Sequence, residues 1–317
     1  MIENQFMLPE KVTIWEVCPR DGFQMERNWI PTEDKIRIIR LLVGTGIKHV
    51  EATSFVHPRA IPQLKDAEEV VKGIQDLTDV KIRALIPNFK GAERAVAVGV
   101  KKLKLLLSAT DSHSLSNANA TVKEAQERLL PIVEFAGKSN VEVSGSIAVA
   151  FGCPFEGNVP IENLLSILQG YRKMGINEVS LADTSGTGNP KLISDVLRAM
   201  KKEFPEFTFS MHLHNTRGMA FANAVAALQQ GVTAFDSSIA GLGGCPYSPE
   251  ATGNIASEDI VHAFQEMGIN TGIDLDNLLN VAQEVKRSIG HDGGSFLLKA
   301  GPNSKLHCKP TAQIKMG

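Results

Sequence analysis

A closed (β/α)8 TIM barrel with a C-terminal helical extension is the fold this sequence predicts. Short apolar runs alternate eight times with segments of helix length, and repeated βα units imply a parallel sheet. The chain has 317 residues, a length at which eight such units favour a closed barrel over an open doubly wound sheet. Glycine also stands just past one helical segment after another, where a left-handed cap needs a residue without a side chain.

In chain order, the first strand is expected over Val12–Val17 and its helix over Thr32–Val43, with Gly44 and Gly46 behind it. His49–Ser54 pairs with a helix over Gln63–Ile74, and Lys81–Ile86 with Lys90–Val98, ended by Gly99. Lys102–Ser108 leads to Thr121–Ser139, then Val141–Val149 to Ile161–Met174 and Gly175. Glu178–Asp183 is followed by Pro190–Glu203, Phe207–His214 by Met219–Gln230, and Ala234–Ala240 by Ser257–Met267. Gly231 and Gly268 close the last two helices. The stretches VGTGIKHVE, KMGINEVS and QQGVTAFD each precede a strand and read as one αβ turn used repeatedly. A further amphipathic helix is expected over Leu275–Ile289, so residues 1–289 form one catalytic barrel. The Gly- and Lys-rich residues 290–317 read as an appendage, a lid or a dimer contact.

Composition narrows the function. Lys and Arg (33) nearly cancel Asp and Glu (35), so no strong global field draws the protein to nucleic acid or an anionic membrane. Cys18, Cys153, Cys245 and Cys308 are scattered with no C-x-x-C pair, which argues against a disulfide framework and a zinc knuckle. The opening MIENQFMLPEK lacks both an apolar core and arginine, unlike a signal or transit peptide. No apolar run approaches the ~20 residues a membrane span needs, and a cytoplasmic protein is expected. No Rossmann fingerprint, Walker loop or low-complexity tract is visible.

Reactive side chains in such a barrel gather at the C-terminal ends of its strands. The seventh strand ends in Met211-His212-Leu213-His214-Asn215; the i, i+2 spacing turns both imidazoles to one face. With Asp21 beyond the first strand and Asn254 beyond the eighth, they make a mixed N/O donor set suited to Mg2+, Mn2+ or a similar ion with open positions. Arg20, permanently charged, is placed to stabilise an enolate; the plainer alternative is a salt bridge with Glu16 or Glu51. Glu51 and Asp183 end the second and sixth strands. Cys245, between Gly243-Gly244 and Pro246, is either a general acid or base on a closing loop or a small residue filling a tight turn; spacing leaves both open. Cys18, Cys153 and Cys308 read as non-catalytic, Cys18 packing beneath the Arg20-Asp21 pair and Cys153 lining the pocket at its rim. For a bound substrate's polar groups Ser54, Gln24, Arg27, Arg59, Arg217 and Lys299 are candidates.

The run SIAGLGGCPY, with EVCPRDGFQ, VEATSFVHP, FGCPFEG, LADTSGTGNP, HLHN and ATGNIASED in that order, resembles the 3-hydroxy-3-methylglutaryl-CoA lyase family across roughly Lys11 to Ile289. That family belongs to a wider group of TIM-barrel metallolyases and Claisen-type synthases. The resemblance implies a divalent-metal-dependent (Mg2+ or Mn2+) retro-Claisen cleavage of a 3-hydroxyacyl-CoA, giving acetyl-CoA and a keto acid, which is acetoacetate in the namesake reaction. It implies that Asp21, His212, His214 and Asn254 hold the metal, that Arg20 stabilises the enolate, and that Cys245 does acid/base chemistry on it. By the same resemblance, Glu51 and Asp183 arrange or deprotonate the substrate. The implied partners are an acyl-CoA and further copies of the chain, as a homodimer or higher homo-oligomer.

Three features depart from the family pattern: Cys18 stands in place of glycine, Met25 in place of asparagine, and Asn215-Thr216-Arg217-Gly218 in place of Asp-Thr-Tyr-Gly. They leave the substrate open between 3-hydroxy-3-methylglutaryl-CoA and a neighbour such as citramalyl-CoA, which would yield pyruvate. A Claisen-condensing synthase shares the metal strand, but is associated with a longer C-terminal extension and lacks the GLGGCPY run.

Overall fold

A computed structural model describes residues 8–244 and 253–306. Its strands are β1 (Thr13–Glu16), β2 (His49–Ser54), β3 (Lys81–Ile86), β4 (Lys102–Ser108), β5 (Glu142–Ala148), β6 (Glu178–Asp183), β7 (Thr208–Leu213) and β8 (Ala234–Ser237). Each pairs in parallel with the next, and β8 closes on β1 through Thr13–Ala234 to Glu16–Ser237. The expected barrel is the observed one.

Around it lie α1 (Thr32–Gly44), α2 (Ala67–Lys72), α3 (Phe89–Ala97), α4 (Asp111–Ala118), α5 (Val122–Glu127), α6 (Leu130–Lys138), α7 (Ile161–Lys173), α8 (Pro190–Glu203), α9 (Ala220–Gln229), α10 (Ser257–Glu266), α11 (Leu275–Ile289) and α12 (Leu297–Ala300). α8 begins where its chemistry says it should: the Asn189 side chain accepts from Leu192 N, and Pro190 fills the first turn, where no N–H is needed. Asp274 caps α11 in the same way, and Gly290 ends it at φ 80°.

Local chemistry also explains the differences from expectation. The helix expected over Thr121–Ser139 is two: a Thr121–Glu124 capping box starts α5, and Pro131, in the first turn of α6, marks a fresh start. Gln63–Ile74 is a 3-10 turn (Pro62–Leu64) followed by the short α2. The eighth strand stops at Ser237 rather than Ala240. Ser238 N turns to Ile255 O, and Ala240 takes φ 57° in a 3-10 turn over Ile239–Gly241. The polar α4 has no counterpart in the sequence expectation.

α11 packs on α1 and α10, and Asp274 N bonds Thr45 O at 2.8 Å. The extension then returns to the barrel. Asp259 on α10 accepts from Ser295 Oγ and from the backbone of Phe296 and Leu297 at 2.8–2.9 Å. Gly294 N donates to Ala240 O at 2.7 Å. A Cβ on Gly293 would lie 2.3 Å from Ala240 O, so glycine is needed for that approach. Phe296, Leu297 and Ala300 help to line an apolar hollow of about 280 Å³ with Phe221 and Ile255. Among the described residues, no helix is long and apolar enough to cross a membrane.

Candidate active site

The βα1 connection is a π-helical turn, Cys18–Gly22, with Pro19 in its opening positions. Arg20 N and Asp21 N both converge on Val17 O, at 3.1 and 2.7 Å. Gly22 admits little else: a Cβ there would stand 3.1 Å from Cys18 Sγ, Leu242 Cβ and Ser238 Oγ alike. This tight turn presents Arg20 and Asp21 side by side at the barrel mouth.

Alternation along β7 brings His212 and His214 to the same face. Their Nε2 atoms are 3.1 Å apart, and lie 3.7 and 3.9 Å from Asp21 Oδ2. All three residues are buried, and their donor atoms fall within 4.8 Å of one another. Asn254 reaches the cluster because its backbone bridges to His214. Its Nδ2 donates to Asp21 Oδ2 at 2.7 Å and to Leu242 O at 2.9 Å, leaving Oδ1 buried without a hydrogen-bond partner. An orphaned amide oxygen beside a carboxylate and two imidazole nitrogens is a donor set that fits a divalent cation. Burial, the neighbouring imidazole and Arg20 push His214 down to about 4 against the pull of Asp21, so it is neutral near pH 7, the form a metal requires. Burial pushes Asp21 up, but Arg20 and the imidazoles outweigh it and leave it below the ordinary value.

Arg20 is held from both sides. Its Nη1 donates to Asp21 Oδ1 and its Nε donates to Glu51 Oε1. Of the two partners the sequence left open, Glu51 is the observed one; Glu16 instead accepts from Ser257 Oγ (2.6 Å), Cys18 N (2.8 Å) and Ile239 N (3.0 Å). Glu51 Oε2 also faces Arg83 Nε at 2.7 Å and Lys104 Nζ at 3.1 Å. Burial opposes its charge, yet Arg20, Lys104 and Arg83 together hold it far below the ordinary carboxylate range. Sequence reasoning missed Arg83, Lys104 and Asp236. Each is a charged residue inside an apolar barrel strand, a pattern that by itself does not tell a buried ion from a solvent-facing one.

Asp183 behaves differently. Its oxygens accept from Thr187 N at 2.9 Å and Gly188 N at 3.1 Å. Burial nevertheless leaves its affinity for a proton raised, against those donors and Arg217. The exposed Arg217 donates to Ser185 O (2.8 Å) and Gly186 O (3.2 Å), tying the βα7 loop to the βα6 loop. Gln24 Nε2 lies 3.3 Å from Asp21 Oδ1, whereas Ser54 is buried and donates to Leu85 O at 3.1 Å. Arg27, Arg59 and Lys299 are exposed. Cys18 is buried, its thiol pushed well up by burial and Glu16. Cys153 is also buried and accepts from Thr110 Oγ1 at 3.1 Å. Cys245 and Cys308 lie outside the described residues.

Two further buried acids anchor the turn that leads towards Cys245. Glu16 holds Ile239 N, and Glu258 Oε2 accepts from Ala240 N at 3.1 Å. Burial raises their carboxyls to about 7 and about 8 from an ordinary 4.5. The stability they contribute is therefore fully present below the unfolded value and is lost as pH rises through those folded values. Glu258→Gln, permanently neutral, is expected to leave Tm unchanged at about pH 4 and to raise it by a few degrees at about pH 9. Identical melting curves for the two proteins at the higher pH would refute this.

The HMGL-like family model matches residues 11–285. The chain is 44% identical to a hydroxymethylglutaryl-CoA lyase of Bacillus subtilis, over 89% of this chain and 94% of that one. It is 39% identical to the mitochondrial hydroxymethylglutaryl-CoA lyase of Homo sapiens, over 92% and 90%. Among solved structures, an HMG-CoA lyase from Acinetobacter baumannii in complex with coenzyme A and 3-methylmalate superposes with TM-score 0.90 at 41% identity, covering 95% of this chain and 98% of that one.

Proposed function

This chain belongs to the HMGL-like family, and from that premise we infer that it cleaves 3-hydroxy-3-methylglutaryl-CoA to acetyl-CoA and acetoacetate. One observation carries the chemistry: the donor atoms of Asp21, His212 and His214 converge beside Arg20 at the mouth of a closed barrel. Similarity to HMG-CoA lyases over about nine-tenths of both chains selects this acid from those the sequence leaves open.

We read Asp21, His212 Nε2, His214 Nε2 and Asn254 Oδ1 as the ligands of Mg2+ or Mn2+. When bound, such an ion supplies a Lewis acid that lowers the pKa of a nearby hydroxyl. Asp183 is the carboxylate suited to take the proton from the C3 hydroxyl, since its proton affinity is raised. Glu51, locked between cations, arranges Arg20 instead. As that proton leaves, the C2–C3 bond breaks, C3 becomes the ketone of acetoacetate, and the electron pair passes into the enolate of acetyl-CoA. Arg20, fixed at Nε and Nη1, turns its remaining donors to the enolate oxygen. Cys245 then gives its proton to C2 and recovers one from solvent.

Arg27 in the βα1 loop and Arg59 in the βα2 loop are the cations we assign to the CoA phosphates, with Lys299 on α12 and Gln24 nearer the reacting centre. Arg217 serves the substrate through the βα6 loop it ties down, and Ser54 by joining the ends of β2 and β3. The extension from residue 290 is stitched to the turn at Ala240, which supports a role as the frame of the cysteine loop; it also offers a contact for a homodimer or higher homo-oligomer. The free thiols of Cys18 and Cys153 suit a cytoplasmic location.

EDTA-treated protein reloaded with Mn2+ is expected to release acetoacetate from 3-hydroxy-3-methylglutaryl-CoA at least about tenfold faster than pyruvate from citramalyl-CoA. The opposite preference would reassign the substrate. Condensation of acetyl-CoA with a 2-keto acid, without cleavage of either thioester, would make the protein a synthase.

A further inference from the structure

The carboxylate of Asp236 on β8 is fully buried and takes no part in the reaction. Four strands, three of them across the barrel interior, each send it one donor. Arg83 Nη2 from β3 lies 2.8 Å from Oδ1. Lys104 Nζ from β4 (2.8 Å), Ser180 Oγ from β6 (3.3 Å) and His212 Nδ1 from β7 (3.2 Å) all meet Oδ2. Arg83 and Lys104 also bind Glu51, which holds Arg20. The contacts run unbroken through the barrel interior from the enolate arginine to a metal-binding histidine.

We propose that Asp236 is the positioning residue for His212, its Oδ2 keeping the imidazole proton on Nδ1 so that the Nε2 lone pair faces the cation. This rests on the metal reading of Asp21, His212 and His214. A neutral imidazole carries one N–H, and the partner of one nitrogen decides the state of the other. Asp236 stands as an anion between two cationic donors, Arg83 Nη2 on Oδ1 and Lys104 Nζ on Oδ2, each at 2.8 Å. A carboxylate in that state only accepts, so Nδ1 must donate. Those two cations, being bonded to both acids, also fix where the carboxylate stands. His214 has no such device, for its Nδ1 is buried without a partner. The bland alternative is that Asp236 only balances the charge of Arg83 and Lys104. That role needs neither the contact to His212 nor a particular tautomer.

Asp236→Asn separates the two. It keeps the shape but can turn its amide NH2 towards Nδ1, which stabilises the wrong tautomer. The first readout is the tautomer of His212 by nitrogen–proton NMR correlation on metal-free protein labelled at histidine; the wild type is expected to carry the proton on Nδ1. The second is Mn2+ affinity by EPR titration without substrate, on protein shown by circular dichroism to be folded at the assay temperature. Asp236→Asn is expected to bind Mn2+ about 10–100-fold more weakly. A wild-type His212 protonated on Nε2, or a variant whose Mn2+ affinity stays within about twofold of wild type, would overturn the proposal. Should the variant fail to fold, the wild-type tautomer still decides. Wild-type protein that binds no Mn2+ at all would sink the metal reading itself, a separate outcome.

Discussion

Arg20→Gln is expected to lower kcat by about 10²–10³-fold while Mn2+ affinity stays level or rises. The guanidinium is buried, permanently charged, and aimed by Glu51 on one edge and Asp21 on the other. A developing enolate therefore meets a donor that need not reorganise. Glutamine is shorter and neutral, and cannot reach both acids. The protein should nonetheless fold, because Glu51 keeps Arg83 and Lys104, and Asp21 keeps Asn254 and the histidines. Asp21 meanwhile loses the cation that competes for its charge. Steady-state kinetics with a parallel Mn2+ titration would check this. If kcat and metal affinity fell together, Arg20 would be the clamp of Asp21 and not the partner of the enolate.

That expectation depends on a network only half of which is legible in the sequence. Strand ends carrying chemistry stand out, because an apolar run breaking at Asp183 or at His212-Leu213-His214 is a local pattern. The extents of β2, β3, β4 and β6 are legible for the same reason, each running as far as its apolar pattern. Arg83 and Lys104 are not legible. Within a single strand a cation reads as the solvent-facing alternate, and only closure of the barrel brings β2, β3, β4 and β8 to one buried layer. The choice of Glu51 over Glu16 as the partner of Arg20 is hidden likewise, since Glu16 is satisfied by Ser257 from more than two hundred residues away. α4 is missed for a different reason. Its sequence, DSHSLSNA, buries only His113 and Ser114, so no apolar stripe announces it.

Asp21→Asn carries the other large expected effect, loss of the metal and of cleavage with it. Among the proposed ligands Asp21 alone bears a charge; His212, His214 and Asn254 offer neutral donors. Asparagine fills the same space but removes the anion that attracts a dication into a buried site. Mn2+ affinity is expected to fall at least about 100-fold, and kcat by about 10³-fold or more at fixed metal. The fold should survive at neutral pH with some loss, since the Asp21 carboxyl sits below its ordinary value and so contributes stability that is present above it and lost as pH falls. Thermal melting gives the test. A ligand at 100 times its Kd stabilises the native state by about 2.7 kcal/mol, so Mn2+ should raise the Tm of the wild type and leave that of Asp21→Asn where it was. A metal-induced rise that persisted in the variant would put the cation elsewhere and leave Asp21 as no more than the counter-ion of Arg20.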